Sequence, residues 1–264
     1  MENEIAIRLS VFFGLFVALA CVETLFPRRE RIQTRAARWT ANWGMSILNS
    51  ATLHLMAFAL PALAAGAAMD ASTQGWGLFN QIAAPLWLEL ILAILIFDFA
   101  IWLQHVITHK VPLLWRLHRV HHADRDMDVT TAIRFHPVEI ALSMLLKIGL
   151  VYLLGPSVLA IILFEILLNG TAMFNHSNLR LPLPLDRVVR RVLVTPDMHR
   201  VHHSVHRDEH DSNYGFSLSI WDRIFGTYLA QPASGHDDMT IGLHWQDDRP
   251  AKLSWLLALP FRKK

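Results

Sequence analysis

The chain has 264 residues, of which 53% are hydrophobic and 17% are charged, and its formal net charge at pH 7 is +2. This charge is too small to indicate a nucleic-acid partner, and we predict none. The apolar residues fall in blocks, which indicates membrane spans rather than a soluble domain. The single cysteine, Cys21, excludes an intrachain disulfide and is predicted to be a small buried hydrophobe.

Five apolar stretches have about the length that a membrane span requires, which is roughly 20 residues. We predict that the last two form a hairpin of two spans or a deep re-entrant pair. Acidic Glu2 and Glu4 open the chain, so we expect no cleavable signal peptide. Residues 1–264 are predicted to form a single membrane domain. Its predicted spans are residues 5–26, 43–69, 82–104, 138–154 and 157–174.

An arginine-rich segment, residues 27–38, sets the predicted orientation. It is expected to be a solvated loop, and the excess of positive charge places that loop in the cytoplasm. Trp39 and Trp43 after it are predicted to be interfacial anchors. Counting spans from this loop puts residues 105–136 and 175–230 on the cytoplasmic side as well. We therefore predict an all-α fold, an integral-membrane helical bundle with a cytoplasmic helical cap that carries the histidine-rich parts.

Eight histidines occur in three short boxes, one of the form H-x3-H and two of the form H-x2-HH. On a helix, residues three and four apart share a face, so each box directs two or three imidazoles to one place. Imidazole binds Fe, Zn, Cu and Ni as the neutral base, and an apolar core does not tolerate it unpaired. The boxes therefore predict a metal site. They are His105 and His109; His118, His121 and His122; and His199, His202 and His203.

This order of boxes in a hydrophobic chain resembles the fatty acid hydroxylase/sterol desaturase superfamily, over roughly residues 85 to 230. Residues 115–122, 134–139 and 213–215, the pair Asn175-His176 and the pair Trp221-Asp222 add to the likeness. The resemblance implies an integral-membrane enzyme with a non-haem di-iron centre that activates O2. It also implies nine metal ligands, namely His105, His109, His118, His121, His122, His176, His199, His202 and His203.

The implied function is an O2-dependent oxidoreductase with two iron ions that acts on a membrane lipid. Hydroxylation is narrowly favoured over desaturation, because it needs one step fewer after the first hydrogen abstraction. No haem-binding domain or glycine-rich dinucleotide loop is visible in the sequence, so electrons are expected from a separate donor of the cytochrome or ferredoxin type. Two alternatives stay open. One is a zinc-dependent membrane hydrolase, although the chain lacks H-E-x-x-H, and the other is a non-enzymatic metal-binding membrane transporter.

Two polar residues at span ends are candidates for roles beside the metal. Asp98 lies seven residues before His105 on nearly the same helical face, so we predict that it accepts a ring N–H from a ligand histidine. The alternative for Asp98 is a carboxylate that pairs with an arginine. His136 precedes Pro137 and is a candidate tenth ligand, although a role at the start of a span suits it equally well.

The remaining histidines are not predicted to bind metal. His54 is expected to pack toward the bundle. His206 and His210 are expected in a solvated loop, and His236 and His244 at the surface.

Four further features of the cap follow from local sequence. Pro112 is expected to break the helix between the first two boxes. Residues 123–131 are predicted to be a loop. Residues 186–194 are predicted to be an interfacial amphipathic segment that meets anionic headgroups. Residues 216–229 are predicted to be a helix that closes the cap.

Overall fold

The computed structural model describes residues 4–59 and 63–262, and in these residues the regular structure is helical, with isolated β-bridges and no strand. The predicted all-α fold is confirmed. The helices of the first part are α1 Glu4–Leu25, α2 Arg35–Ala59, α3 Ala64–Gln74, α4 Leu78–Gln81, α5 Leu86–Lys110, α6 Pro112–His122, α7 Pro137–Leu154 and α8 Val158–His176. Those of the second part are α9 Leu183–Val189, α10 Pro196–His202, α11 Arg207–His210, α12 Ile220–Ile224, α13 Gly235–Asp238 and α14 Leu253–Ala258.

Four of these helices are long and apolar enough to cross a membrane, and the chain is a membrane protein. They correspond to the first, third, fourth and fifth predicted spans. Helix α5 runs six residues beyond the predicted end of its span, and α6 begins at Pro112, where the missing N–H costs no helical hydrogen bond. The first histidine box therefore lies on the span itself. The four helical segments are Ala6–Leu25, Leu86–Lys110, Pro137–Leu154 and Val158–His176.

The structure differs from the prediction at the second stretch, residues 43–69. This stretch is divided between α2 and α3, and residues 60–62 lie outside the described residues. Helix α2 is not among the four apolar helices, because it carries a buried polar face that includes Arg38, Asn42 and Asn49. The two helices still join opposite ends of the bundle. Arg38 contacts the segment after α6, whereas Gly77 lies against Gly155 in the α7–α8 turn, where any side chain would collide with backbone.

The outward faces of α1 and α2 explain two wrong predictions. Cys21 is exposed on α1 rather than buried. His54 is exposed on α2, where its Nδ1 atom lies 2.8 Å from the carbonyl oxygen of Ser50. Helix α1 buries little more than Phe16 and Glu23, since a span that faces lipid has protein neighbours on only one side. On that inner side Phe16 packs edge-on against the half-buried ring of Trp43, at 5.1 Å between centroids.

A buried polar clamp joins the end of the arginine-rich segment, where a solvated Arg38 was expected, to the predicted loop at residues 123–131. The Arg38 guanidinium is completely buried and donates to both oxygens of Asp124 at 2.8 Å and to Asp128 at 2.6 Å. Arg134 donates to Val120 and to Asn42 beside it. Burial alone would raise the pKa of Asp124, but the Arg38 and Arg134 charges hold that pKa well below its usual value. The clamp fixes the chain directly after His121 and His122.

Two elements of the cap are shorter or differently placed than predicted. The predicted helix over residues 216–229 is reduced to the five residues of α12, and Gly226 has a left-handed backbone just after it. In α9 and just after it, Val188 and Val192 are about 60% exposed beside Arg187 and Arg191. Arg190, in contrast, is buried and pairs with Asp186 of α9. The mixture of apolar and basic side chains predicted for this segment is therefore found on its exposed face, whereas the Asp186–Arg190 pair is buried.

Candidate metal centre

The nine histidines that the sequence singled out are all buried, each at most 5% exposed, and they form two groups. In each group every histidine contributes one ring nitrogen, and these nitrogens all lie within 4.8 Å of one another. Group A contains His105, His109, His118, His122 and His202, and group B contains His121, His176, His199 and His203.

The sharp turn at Val111 brings the first two boxes together. His105 and His109 lie one turn apart on α5, and His118 and His122 lie one turn apart on α6. Because α6 folds back beside α5, the two pairs face each other. The Nε2 atoms of His105 and His118 are 2.9 Å apart, and those of His109 and His122 are 3.1 Å apart.

Each H-x2-HH box is divided between the two groups. Four residues along a helix turn a side chain by about 40°, whereas three residues turn it by about 60° in the opposite sense. The first and third histidines of a box therefore share a direction, and the middle one leans to the other side. In the α6 box the middle residue, His121, belongs to group B. In the box at α10 the middle residue, His202, belongs to group A. The groups consequently lie side by side, with the rings of His122 and His203 stacked at 4.6 Å.

The second nitrogen of several rings fixes the position of the proton. The Nδ1 atom of His105 lies 2.7 Å from the carbonyl oxygen of Tyr214, and that of His202 lies 2.7 Å from the carbonyl oxygen of Ser212. A carbonyl can only accept, so the ring N–H is at Nδ1 and the Nε2 atom carries a lone pair. The Nδ1 atom of His118 lies 2.6 Å from the Glu139 carboxylate, which gives the same assignment.

The arrangement of lone pairs in group A fits a bound cation. The Nε2 atoms of His118 and His202 lie 2.9 and 3.0 Å from the Nε2 atom of His105. When the three rings are neutral, with their protons at Nδ1, no hydrogen is available between these nitrogens, and the facing lone pairs repel each other. A metal ion that all three rings coordinate removes this repulsion, and imidazole nitrogen suits iron and zinc alike.

Group B fits a cation for the same reason and for a second one. His176 turns its Nδ1 atom to the carbonyl oxygen of Ala172, and its Nε2 atom lies 3.0 Å from that of His121 and 3.1 Å from that of His199. Among the described residues, His203 has no hydrogen-bond partner at either ring nitrogen. Buried polar nitrogens normally have a hydrogen-bond partner, and a bound metal ion would take the place of that partner here.

The electrostatics keep these rings in the form that binds metal. Burial, and then the neighbouring imidazoles, lower the pKa of His121, His122, His199 and His203 well below the ordinary 6.5. Burial does the same for His202. These rings are therefore neutral at physiological pH, as metal coordination requires.

A buried carboxylate holds the peptide that orients His105. Asp222 accepts the backbone N–H groups of Tyr214 at 2.9 Å and Gly215 at 2.8 Å, together with the indole N–H of Trp102 at 3.0 Å. The Tyr214 carbonyl in turn accepts the ring N–H of His105. Asp222 thus positions a candidate ligand without touching it. In the sequence it was noted only as part of the Trp221-Asp222 pair.

Asp98 does not have the role that its spacing predicted. Its carboxylate accepts the indole N–H of Trp221 at 2.8 Å and the backbone N–H of Leu218 at 3.3 Å, and in the described part of the chain it accepts no histidine ring N–H. Seven residues of helix separate Asp98 from His105 by about 10 Å along the axis, which is too far for a direct hydrogen bond. The carboxylates beside group A are instead those of Glu139, which lies against His118, and of Asp211, which lies 3.4 Å from the Nδ1 atom of His109. Glu139 is an acid in the first turn of an apolar helix, and that position was its signal in the sequence.

Three further histidines, His136, His210 and His236, are buried outside groups A and B. His136 is buried outside both groups, and its Nδ1 atom accepts the Val138 N–H at the start of α7, so its place is at the start of a span. His210 was predicted to be solvated but is buried, with its ring stacked on Trp115. His236 was predicted at the surface but is also buried, and burial lowers its pKa to about 4.

Local sequence misled the predictions for His210 and His236, because charged neighbours surround both residues. His206 and His244 are exposed, as predicted.

Comparison with known proteins gives one family. The model of the fatty acid hydroxylase family matches residues 90–227, which include all nine histidines. An ornithine lipid hydroxylase of Rhizobium tropici is 29% identical over 158 residues, 60% of this chain and 46% of the relative. Alkylglycerol monooxygenase of Homo sapiens is 36% identical over 138 residues, 51% of this chain and 29% of the relative. This chain thus spans less than half the length of these two relatives.

A third relative aligns along most of its length. A cholesterol 25-hydroxylase-like protein of Danio rerio is 26% identical over 237 residues, 83% of this chain and 87% of the relative. No solved structure gives a significant match.

Proposed function

Because the chain belongs to the fatty acid hydroxylase family, we propose that it is an O2-dependent oxidoreductase that hydroxylates a membrane lipid at a centre of two non-haem iron ions. The observation that carries the proposal is the convergence of nine buried imidazoles into groups A and B. Two iron ions held by these groups would supply the redox chemistry that activates O2 toward a C–H bond.

The side chains of the site have distinct tasks in this proposal. The nine imidazoles are the metal ligands, and those whose Nδ1 proton is bonded to a carbonyl or to Glu139 present Nε2 in a fixed orientation. Their burial excludes bulk water from the centre. Phe135 stacks on His121 at 4.4 Å, and Phe216 lies 5.0 Å from His105, so the neighbouring walls are aromatic.

Hydroxylation consumes one O2, two electrons and two protons, and it leaves one oxygen in the lipid hydroxyl and one in water. We propose a separate electron donor of the cytochrome or ferredoxin type. Desaturation consumes the same electrons but puts both oxygen atoms in water. The relatives are named as hydroxylases or monooxygenases, which favours hydroxylation here.

A lipid substrate is supported by the position of the site. Group A begins at the last turns of α5, and His176 is the final residue of α8, so both groups lie at the ends of candidate spans. A lipid can keep its chain among the helices while its polar end stays at this surface. Since Arg38 of the basic segment packs against Asp124 at the same end, we place the site on the cytoplasmic side.

A hydrolase that uses a serine nucleophile is not supported by the neighbours of the boxes. Ser204, the hydroxyl that directly follows His203, donates to the Glu209 carboxylate rather than to an imidazole. A serine held in this way is not prepared for activation by a histidine base.

The decisive experiment measures metal and oxygen together. Protein purified without air is analysed for iron and zinc, and membranes containing it are then supplied with a reduced electron carrier and 18O2. We expect about two iron ions per chain and one 18O atom in a lipid hydroxyl. Label found only in water beside a new double bond would indicate desaturation. Zinc in place of iron, with lipid turnover that persists without O2, would instead support the hydrolase.

A reporter placed after Lys264 tests the orientation. A cytoplasmic signal is expected, and a signal from the opposite side would overturn the proposed topology.

A further inference from the structure

A cavity of about 340 Å³ lies directly beside group A. His109 forms part of its wall, so the cavity reaches the candidate metal centre from outside. Trp115, Leu243 and Trp245 supply apolar surface in the same wall. The volume lies within the range of pockets that bind small molecules and is too small for a folded partner.

The charges around the cavity are not balanced. Lys110 and Arg207 share the Asp211 carboxylate, at 2.8 and 3.5 Å. Arg119 also lines the cavity and is only 2% exposed. No carboxylate among the described residues lies within ion-pair distance of its guanidinium.

The hydrogen bonds of Arg119 leave its charge uncompensated. Its Nη2 atom donates to the carbonyl oxygens of Leu259 and Arg262, and its Nε atom has no hydrogen-bond partner in the described part of the chain. The ring of Trp245 faces the guanidinium at 5.5 Å. A buried cation is costly unless it is paired, and a guanidinium matches the geometry of phosphate and carboxylate. This wall therefore suits an anion.

The cavity also lies at the membrane surface. Lys110 is the last residue of α5, which is a candidate span, and Pro112 begins α6, and both residues line the cavity. Next to them, Val111 is 40% exposed and Leu113 is 69% exposed. Apolar side chains at the end of a span face lipid, so a bilayer amphiphile can reach the cavity without leaving the membrane.

We propose that this cavity binds the anionic headgroup, phosphate or carboxylate, of the lipid substrate, with Arg119 as its counter-charge. The inference rests on the proposed function and narrows the substrate to acidic amphiphiles. The carbons next to a bound headgroup lie along the Trp115 wall toward His109. Arg119 is then a specificity-determining residue, since it selects the headgroup and coordinates no metal.

The test is a binding titration of the full chain, metal-free and in uncharged detergent. Calorimetry compares dihexanoyl phosphatidic acid and decanoate with neutral dihexanoylglycerol and with inorganic phosphate. We expect at least one of the two acidic amphiphiles to bind roughly tenfold or more tightly than dihexanoylglycerol, because a charge-assisted bond is worth about that factor. Arg119→Gln should abolish the preference, and Arg119→Lys should retain part of it.

Arg116→Gln is the matched control. Arg116 lies on the same helix and donates to the Pro260 carbonyl of the same C-terminal segment, but it does not line the cavity. This variant should keep the preference. Val205→Phe places a larger side chain in the cavity wall and does not change Arg119 or its hydrogen-bond partners. It should weaken binding of the acidic amphiphiles. This variant provides a test that does not depend on the folding of Arg119→Gln.

Three results would overturn the proposal: equal binding of neutral and acidic amphiphiles, equal losses in Arg119→Gln and Arg116→Gln, or inorganic phosphate binding as tightly as the amphiphiles. The last result would identify a site for free anions. Because the titration uses neither metal nor O2, its failure leaves the proposed oxidation to be judged by the isotope experiment.

Discussion

Replacing Asp222 by asparagine tests whether a carboxylate that touches no candidate ligand controls the metal centre. The carboxylate is completely buried and accepts from four donors: the Trp102 indole, the Tyr214 and Gly215 amides and the Thr227 hydroxyl. Its removal as an acceptor releases the Tyr214 peptide, whose carbonyl orients His105. We therefore expect Asp222→Asn to weaken metal binding.

The magnitude follows from the number of acceptors lost. Asparagine keeps one carbonyl oxygen, and its NH2 group must replace the other. Three donors meet Oδ1 and Gly215 meets Oδ2, so either orientation of the amide sets at least one buried N–H against another donor. An unsatisfied buried donor costs about 1–3 kcal/mol, and the loss of charge weakens the remaining bonds. We expect a loss of about 2–4 kcal/mol in stability and of roughly 10- to 100-fold in metal affinity.

Asp98→Asn is the matched control, because Asp98 and Asp222 each accept an indole N–H from the helix that carries the other. Trp102 of α5 donates to Asp222, and Trp221 of α12 donates to Asp98. Both aspartates link the same helices, but only Asp222 holds the Tyr214 peptide. The metal retained per folded chain during competition with a chelator and the thermal unfolding midpoint are measured for both variants. Equal metal retention in the two variants would refute the positioning role of Asp222.

Three further predictions use other parts of the site. His121→Ala should abolish activity and lower metal content, whereas His244→Ala should do neither, as metal analysis and turnover of both variants will show. Arg38→Met should destabilise the protein by about 3–5 kcal/mol in chemical denaturation, because Asp124 and Asp128 remain buried without their cation; wild-type stability would contradict the clamp. The metal-free protein should lose stability as pH falls below 6.5. The folded pKa of the buried imidazoles on α6 and α10 is lowered, so the unfolded chain binds protons first, at roughly 1.4 kcal/mol per imidazole per pH unit. Denaturation that does not change between pH 7 and 5.5 would contradict this assignment.

The nine histidines that converge could be named from the sequence. Helical spacing pointed to eight of them, and the family resemblance pointed to the same eight and added His176. Their division into two groups could not. His121 belongs to group B although its neighbour in the chain, His122, belongs to group A. In the other box, His202 belongs to group A although its neighbour His203 belongs to group B. Such a division depends on how α6 and α10 are rotated against each other, and spacing within one helix carries no information about that rotation.

The polar residues around the histidines were harder to predict for a related reason. Arg38, His210 and His236 have charged neighbours in sequence, which is typical of solvated loops, but tertiary contacts bury all three. The lipid-facing residues show the converse error. Cys21 is apolar in context but exposed, because the partner of its helix face is the membrane and not protein.

Each H-x2-HH box contributes histidines to both groups, and this has a consequence for biosynthesis. A chain translated only as far as the end of α7 already contains four of the five group A histidines, but only His121 of group B. Group B can close only after α8 and α10 have folded back onto α6, and group A receives its last member, His202, at the same moment. An ion captured earlier would occupy a half-built site open to solvent, so the order in which this chain is made and metal is delivered bears directly on which ion is enclosed.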